Sequence, residues 1–553
     1  MTEAKDIKVL NLFIFLLCLT SVNRTLSPFG IDLRIIVVLL GVFIIAYSLK
    51  KYGLNTVLSN ISSKRFIILY LFSIISSLWI FINFDKVNVR GLSSLVVLHI
   101  SILISAVVIN IQRDKIKFEK VYRFLTISMM ILFFSMIFVY MTKNIKLIGD
   151  HRFLGYVTDN NFIGTNIRVG GYAQDPNQAS IWIVMFIIIT FFYINNIFLK
   201  SFLISLSVLM YLLAASKTVL LGSIVTLFIS VIFAKLIKSK KYNLLYFLKI
   251  IGIYVAPIIL ILIITIDFNY LPFSNLDTMR TRYIMWDEAV KLFKTSPIFG
   301  VGLSGFRNNY GIKMSWYVQS HSTIFQLVSE VGIAGLLLYL SLISENLNNR
   351  SNTVRTLTIM MYITSITLET MYLPILLFIE MVKVSLDKKA EGINKSSLVI
   401  VTKNENDYIR FYSSSHKKRE YENTFLISLY EFENISEDVV IKKLLDRESN
   451  KFLGYFLSRI RLNKIMMSIN FSTEIDNVIN ISFTTQLLAF GSYLNNEAIY
   501  GILDIDYLAN SKKQFWRKLN LLLLKYSRKV LVIDKDESSL LKLGVNPKNL
   551  IEL

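Results

Sequence analysis

The sequence predicts an all-α polytopic membrane domain followed by a smaller α/β domain, and three observations carry that prediction. Hydrophobic residues make up 54% of the chain and the mean hydropathy is +0.54, well beyond an ordinary soluble protein. The apolar residues fall in runs long enough to cross a hydrocarbon core, which takes about 17–25 residues. Near residue 386 the composition changes abruptly, and short β-rich runs begin to alternate with helical patterns.

Taken in order, spans are expected near 9–25, 31–48, 66–83, 94–111, 121–141, 180–198, 200–216, 218–237, 247–267 and 323–344. Two shorter ones follow near 354–370 and 372–386, split around Tyr372 and Pro374, for about twelve transmembrane helices in all. Basic clusters at Lys50, Lys51, Lys64 and Arg65, at Arg113, Lys115, Lys117 and Lys120, and at Lys235, Lys238, Lys240 and Lys241 fall on alternate connections. The positive-inside rule makes these cytoplasmic, with both termini on that side. The net charge of +22 is read as loop retention and attraction to anionic lipid, so no nucleic-acid partner is expected. The single cysteine, Cys18, excludes an intramolecular disulfide.

The same alternation puts two long connections, about 142–179 and 268–322, outside the cytoplasm, and connections of that length are usually functional. In the second, Trp286, Ala289, Val290 and Phe293 recur at helical spacing, a stripe suited to lying on the membrane surface. Pro297, Gly300, Gly302 and Gly305 then read as a turn-rich break. The domains expected are 1–386 in the membrane, 387–396 as linker and 397–553 as an α/β Rossmann-like domain. Strand-like runs there are 397–402, 424–430, 464–470, 478–484, 498–506 and 529–534.

Chemistry-bearing residues gather on the outer connections. Of four histidines, His321 closes the second outer loop; His99 lies in an apolar run, His151 begins the first outer loop, and His416 is in the C-terminal part. Glu330 and Glu369 stand in apolar runs, where a carboxylate is costly and marks either a functional or a paired structural site. Lys217 is read either as an interfacial anchor or as a phosphate-binding cation. Arg168, Arg280 and Arg282 fall on the same side and suit a pyrophosphate, because guanidinium forks match phosphate oxygens. No HExxH, CxxC or His pair at i, i+4 points to a metal, and the DxD pairs at Asp504/Asp506 and Asp534/Asp536 sit where strands end, a common place for turn aspartates.

Three blocks resemble the bacterial O-antigen ligase and O-antigen polymerase superfamily. They are GGYAQDPNQAS at 170–180, ASKTVLLG at 215–222, and RYIMWDEAVKLFKTSPIFGVGLSGF followed by SHSTIFQLVSEVGIAGLLLYL. Lys217 stands where that family usually has arginine, and Ser322 where it usually has asparagine. The resemblance implies a polyprenyl-pyrophosphate-linked glycan donor and a glycan acceptor at the outer face of the bacterial cytoplasmic membrane, with no cofactor and no metal. It implies His321 and Arg282 as catalytic, Lys217, Arg168 and Arg280 on the pyrophosphate, and Glu330, Asp175, Asn177 and Trp286 in support. Polymerisation of repeat units is the expected reaction. Ligase-like transfer of a finished glycan to a lipid or wall acceptor, and transport of lipid-linked sugars, are the alternatives. The C-terminal part resembles half of a two-domain glycosyltransferase, which implies a vestigial domain or one that docks other polysaccharide-assembly proteins, rather than a second active site.

Overall fold

The computed structural model describes residues 3–23, 33–53, 89–142, 155–157, 167–173, 175–264, 277–302, 305–306, 320–368 and 372–386. In the C-terminal part it describes 396–402, 423–428, 439–443, 460–462, 464–466, 469, 474–480, 498–502, 529–532 and 550–552. The span expected at 66–83 lies outside these residues, as do His151, His416, Glu369 and both DxD pairs.

The N-terminal part is helical: α1 (Glu3–Val22), α2 (Leu33–Tyr52), α3 (Val89–Ile111) and α4 (Phe118–Thr142). A short antiparallel pair follows, β1 (Gly155–Val157) with β2 (Arg168–Gly171), in which Tyr156 faces Val169. Then come α5 (Pro176–Tyr193), α6 (Ile197–Ala214), α7 (Lys217–Lys238), α8 (Tyr242–Ile250) and, after a π-helical turn at Ile251–Val255, α9 (Ala256–Ile264). The bundle closes with α10 (Asp277–Thr295), α11 (Thr323–Leu347), α12 (Asn352–Thr367) and α13 (Tyr372–Leu386).

Among the described residues, seven helical stretches are long and apolar enough to cross a membrane: α2, α4, α5, α6, α7, the joined stretch Tyr242–Leu262, and α11. The chain is therefore a membrane-integral, polytopic, all-α protein in this part. Exposed apolar side chains such as Leu221, Leu227, Phe228 and Val231 on α7 form the lipid-facing surface that such a bundle needs, while Trp182, Phe186, Phe325 and Phe378 fill its interior. The helix ends are set locally. Asn196 and Ser351 accept backbone N–H groups at the starts of α6 and α12, and Ala215, in the left-handed region, stops α6.

Cross-links between helices define two ends. At one, Asn23 after α1 donates to the Tyr172 carbonyl, the Tyr172 N–H donates to Ser135 near the end of α4, and Thr323 at the start of α11 donates to Leu368 after α12. At the other, Gln112 after α3 bonds Ser48 on α2, and Lys120 at the start of α4 bonds Asn11. The C-terminus of α11 lies at that second end, where buried Lys249 and Lys383 donate to Asn348 and Asn346 at 2.8 and 2.9 Å. Cations there complement the negative end of the helix dipole.

The C-terminal part belongs to a second compact unit, together with Leu49–Ile67 and Leu236–Phe247, and contains a seven-stranded parallel sheet. Its strands are β3 (Ser396–Thr402), β4 (Asn423–Ser428), β5 (Val439–Lys443), β6 (Glu474–Asn480), β7 (Ala498–Ile502), β8 (Lys529–Val532) and β9 (Leu550–Glu552), in the order β5-β4-β3-β6-β7-β8-β9. Ile400 on β3 stands between Leu426 and Ile479 in the strand register. The strand expected at 464–470 is a correction: Lys464–Met466 is helical. Leu462, Met466 and Ile469 are buried at spacings of four and three, which is one helical face rather than alternation.

Candidate active site

The first piece of the site is the start of α5. Asp175 caps that helix, accepting from the N–H groups of Asn177 (2.6 Å) and Gln178 (3.3 Å), and Pro176 occupies the first turn, where its missing N–H costs nothing. The cap holds Asn177 so that its Oδ1 accepts twice, from Arg168 Nη2 at 2.8 Å and from Ser216 Oγ at 2.7 Å. Arg168 Nε also donates to the Ala214 carbonyl at 3.2 Å, satisfying a group left open where α6 ends. Two of its donors thus tie β2 to α5 and to the α6–α7 turn. Lys217, the next residue after Ser216, begins α7 with its side chain exposed.

The second piece is an interlock between the segment after α10 and a break in α11. Gly332 (φ 66°, ψ −166°) interrupts the helix. The carbonyls of Ser329 and Glu330 are bonded by the N–H groups of Val301 (2.9 Å) and Gly302 (2.8 Å). In return, Ile333 and Ala334 donate to the carbonyls of Pro297 (2.9 Å) and Ile298 (3.2 Å). The Pro-x-x-Gly-x-Gly and Glu-x-Gly blocks are therefore two halves of one backbone joint, with Gly300 (φ 72°) abutting the main chain of Glu330. Glu330 itself is buried, and its carbonyl is part of the joint.

The joint fixes α10 against α11, which corrects one expectation. Of the stripe, Trp286, Ala289 and Val290 are buried in protein and Phe293 is half-buried, with Trp286 stacked on Phe325 of α11 (centroids 5.0 Å, interplanar 15°), rather than turned to lipid. His321 precedes the cap residue Ser322, outside the helix that carries Glu330, and has φ 52°, in the left-handed region.

Arg282 and Asp175 both act electrostatically on His321. Burial of the ring lowers the imidazole below its ordinary value, the Arg282 charge lowers it further, and Asp175 raises it. As a residue His321 is nonetheless exposed to solvent. Arg282 is half-buried, and desolvation lowers its guanidinium below the ordinary value. Arg280 lies in the first turn of α10, and its side chain is not among those described. His321 thus lies within electrostatic reach of Arg282 and Asp175, and Asp175 caps the helix start at which Asn177 holds Arg168 and Ser216, the residue before Lys217. Sequence reasoning missed Ser320 and Ser216, two buried hydroxyls that organise this end; small polar residues beside a histidine or a lysine carry no distinctive signal. Among the described residues, no group of three His, Cys, Asp or Glu side chains is placed to hold a metal.

A half-buried arginine whose charge acts on a histidine of lowered basicity suits an anionic ligand. Residues 177–340 match the family model described as O-antigen ligase. The matched stretch runs from Asn177 through Lys217, Arg282, Trp286 and the interlock to His321 and beyond. This segment is thus similar to the O-antigen ligase family, a likeness that points to glycan transfer as its general chemistry. No curated protein matches the chain.

Proposed function

We propose that the protein polymerises polyprenyl-pyrophosphate-linked oligosaccharide units at the outer face of the bacterial cytoplasmic membrane. The observation that carries this reading is the convergence of His321, Arg282 and Asp175 at one end of the bundle. An acceptor hydroxyl oxygen attacks the anomeric carbon of the donor glycan, a new C–O bond forms, and the bond to pyrophosphate breaks. A His321 of lowered basicity is neutral at neutral pH, so it is competent to take the acceptor proton. Arg282 lies where its charge offsets that of the departing pyrophosphate, and Lys217 and Arg280 reinforce it. Arg168 supports the site through Asn177. The cytoplasmic placement of both termini rests on the basic residues at the end opposite the site. The parallel sheet supports reading residues 397–553 as a Rossmann-like domain, to which we assign docking of other assembly proteins.

The family description favours a second reading, ligation of a finished glycan to a lipid or wall acceptor. The test is the full-length protein in liposomes with a polyprenyl-pyrophosphate oligosaccharide as sole substrate. A ladder of longer lipid-linked glycans that disappears with His321→Ala is expected. Transfer of the intact oligosaccharide to an added non-glycan acceptor, with no ladder, would replace the polymerase reading with the ligase.

A further inference from the structure

His321 holds a left-handed backbone conformation that side chains other than glycine seldom adopt. Such a conformation persists only where its surroundings impose it. The residues on both sides are fixed. Ser320, fully buried, donates from Oγ to the Ser322 carbonyl at 2.7 Å and accepts from the Ser322 N–H at 3.4 Å, closing a bracket across His321. The Ser320 carbonyl in turn accepts from Trp286 Nε1–H at 2.9 Å. On the far side, Ser322 Oγ reaches the Ser365 carbonyl at 3.5 Å, and Thr323 Oγ1 donates to Leu368 at 3.1 Å, anchoring the segment to α12.

The indole that holds Ser320 is itself immobilised, stacked on Phe325 and met edge-on by Tyr283 at 5.6 Å. Trp286 follows Arg282 by four residues, so both project from one face of α10. We infer that Trp286 and Ser320 are positioning residues: the indole–carbonyl bond sets His321 in register with Arg282, and the serine bracket holds the histidine turned toward it. This rests on His321 being the proton acceptor of the proposed reaction, and adds the residues that aim it. The charged groups that act on His321 are Arg282 from α10 and Asp175 from the cap of α5.

The test uses the full-length protein in nanodiscs with Trp286→Phe, which keeps a ring for the stack and removes the N–H donor, and with Ser320→Ala, which opens the bracket. His321 is titrated without reference to activity, by the pH dependence of its modification by diethylpyrocarbonate, read by peptide mass spectrometry. In both variants the midpoint is expected to rise toward that of an ordinary imidazole as His321 leaves Arg282. Chain extension should lose kcat by up to about 10²-fold with donor KM little changed, the signature of misplacement rather than lost binding. A folded Trp286→Phe or Ser320→Ala protein whose His321 midpoint equals that of the wild type overturns the inference. If the wild type transfers no glycan, the proposed function fails, while the modification titration still decides the positioning.

Discussion

Gly332→Ala is expected to spring the joint between α10 and α11. At φ 66° and ψ −166° the backbone occupies a region essentially reserved for glycine, and another residue there costs about 1–3 kcal/mol. The new Cβ would also press on the Ile298 carbonyl and stand 2.7 Å from the Gly300 nitrogen, main-chain atoms that cannot rotate aside. Relief requires opening part of the interlock. Losing two of its hydrogen bonds, at about 0.5–1.5 kcal/mol each, adds about 1–3 kcal/mol. The expected loss is therefore about 2–6 kcal/mol. The assay is unfolding of the full-length protein in mixed micelles by SDS titration, with glycan transfer measured alongside. Gly252→Ala is the matched control, because a Cβ there meets nothing within 4 Å. Should Gly332→Ala unfold together with Gly252→Ala and the wild type, the joint does not hold the two helices and the reasoning fails.

The remaining predictions concern the charges of the site. Transfer should hold constant at neutral pH and decline on acidification only below the ordinary imidazole value, since burial and Arg282 both lower His321; pH–rate profiles of kcat/KM check this. Asp175→Asn keeps a competent helix cap but removes the group that raises His321, so the acid limb should move to lower pH. Asn177→Ala takes an acceptor from Arg168 and should cost about 1.5–3 kcal/mol in the same unfolding titration, because bonds to charged groups are the stronger ones. Lys217→Arg preserves the cation and supplies the fork for phosphate, so transfer should be retained or rise, measured as ladder length.

Much of the membrane part was legible in the sequence. Runs such as 121–141, 218–237 and 372–386 correspond to α4, α7 and α13 within a few residues, because the length and polarity of a span are local properties. The candidate site is read from the sequence as a set of positions, His321, Arg282 and Asp175 among them, but not as an arrangement. The α10 stripe illustrates the limit: its period predicts one apolar face and is silent on whether lipid or α11 covers it. Likewise, the glycines at 300 and 302 read as turn residues, whereas their conformations serve a partner segment some thirty residues further on.

The sequence by itself determined that the chain is a polytopic membrane protein, since hydropathy follows directly from composition along the chain. Only the tertiary structure decided that Arg168 serves Asn177, that two glycine blocks close one joint, and that a tryptophan one turn beyond Arg282 holds the carbonyl before His321. Those contacts join backbone and side-chain groups far apart in sequence. They form because groups buried in a water-poor bundle must find partners wherever the packing brings them.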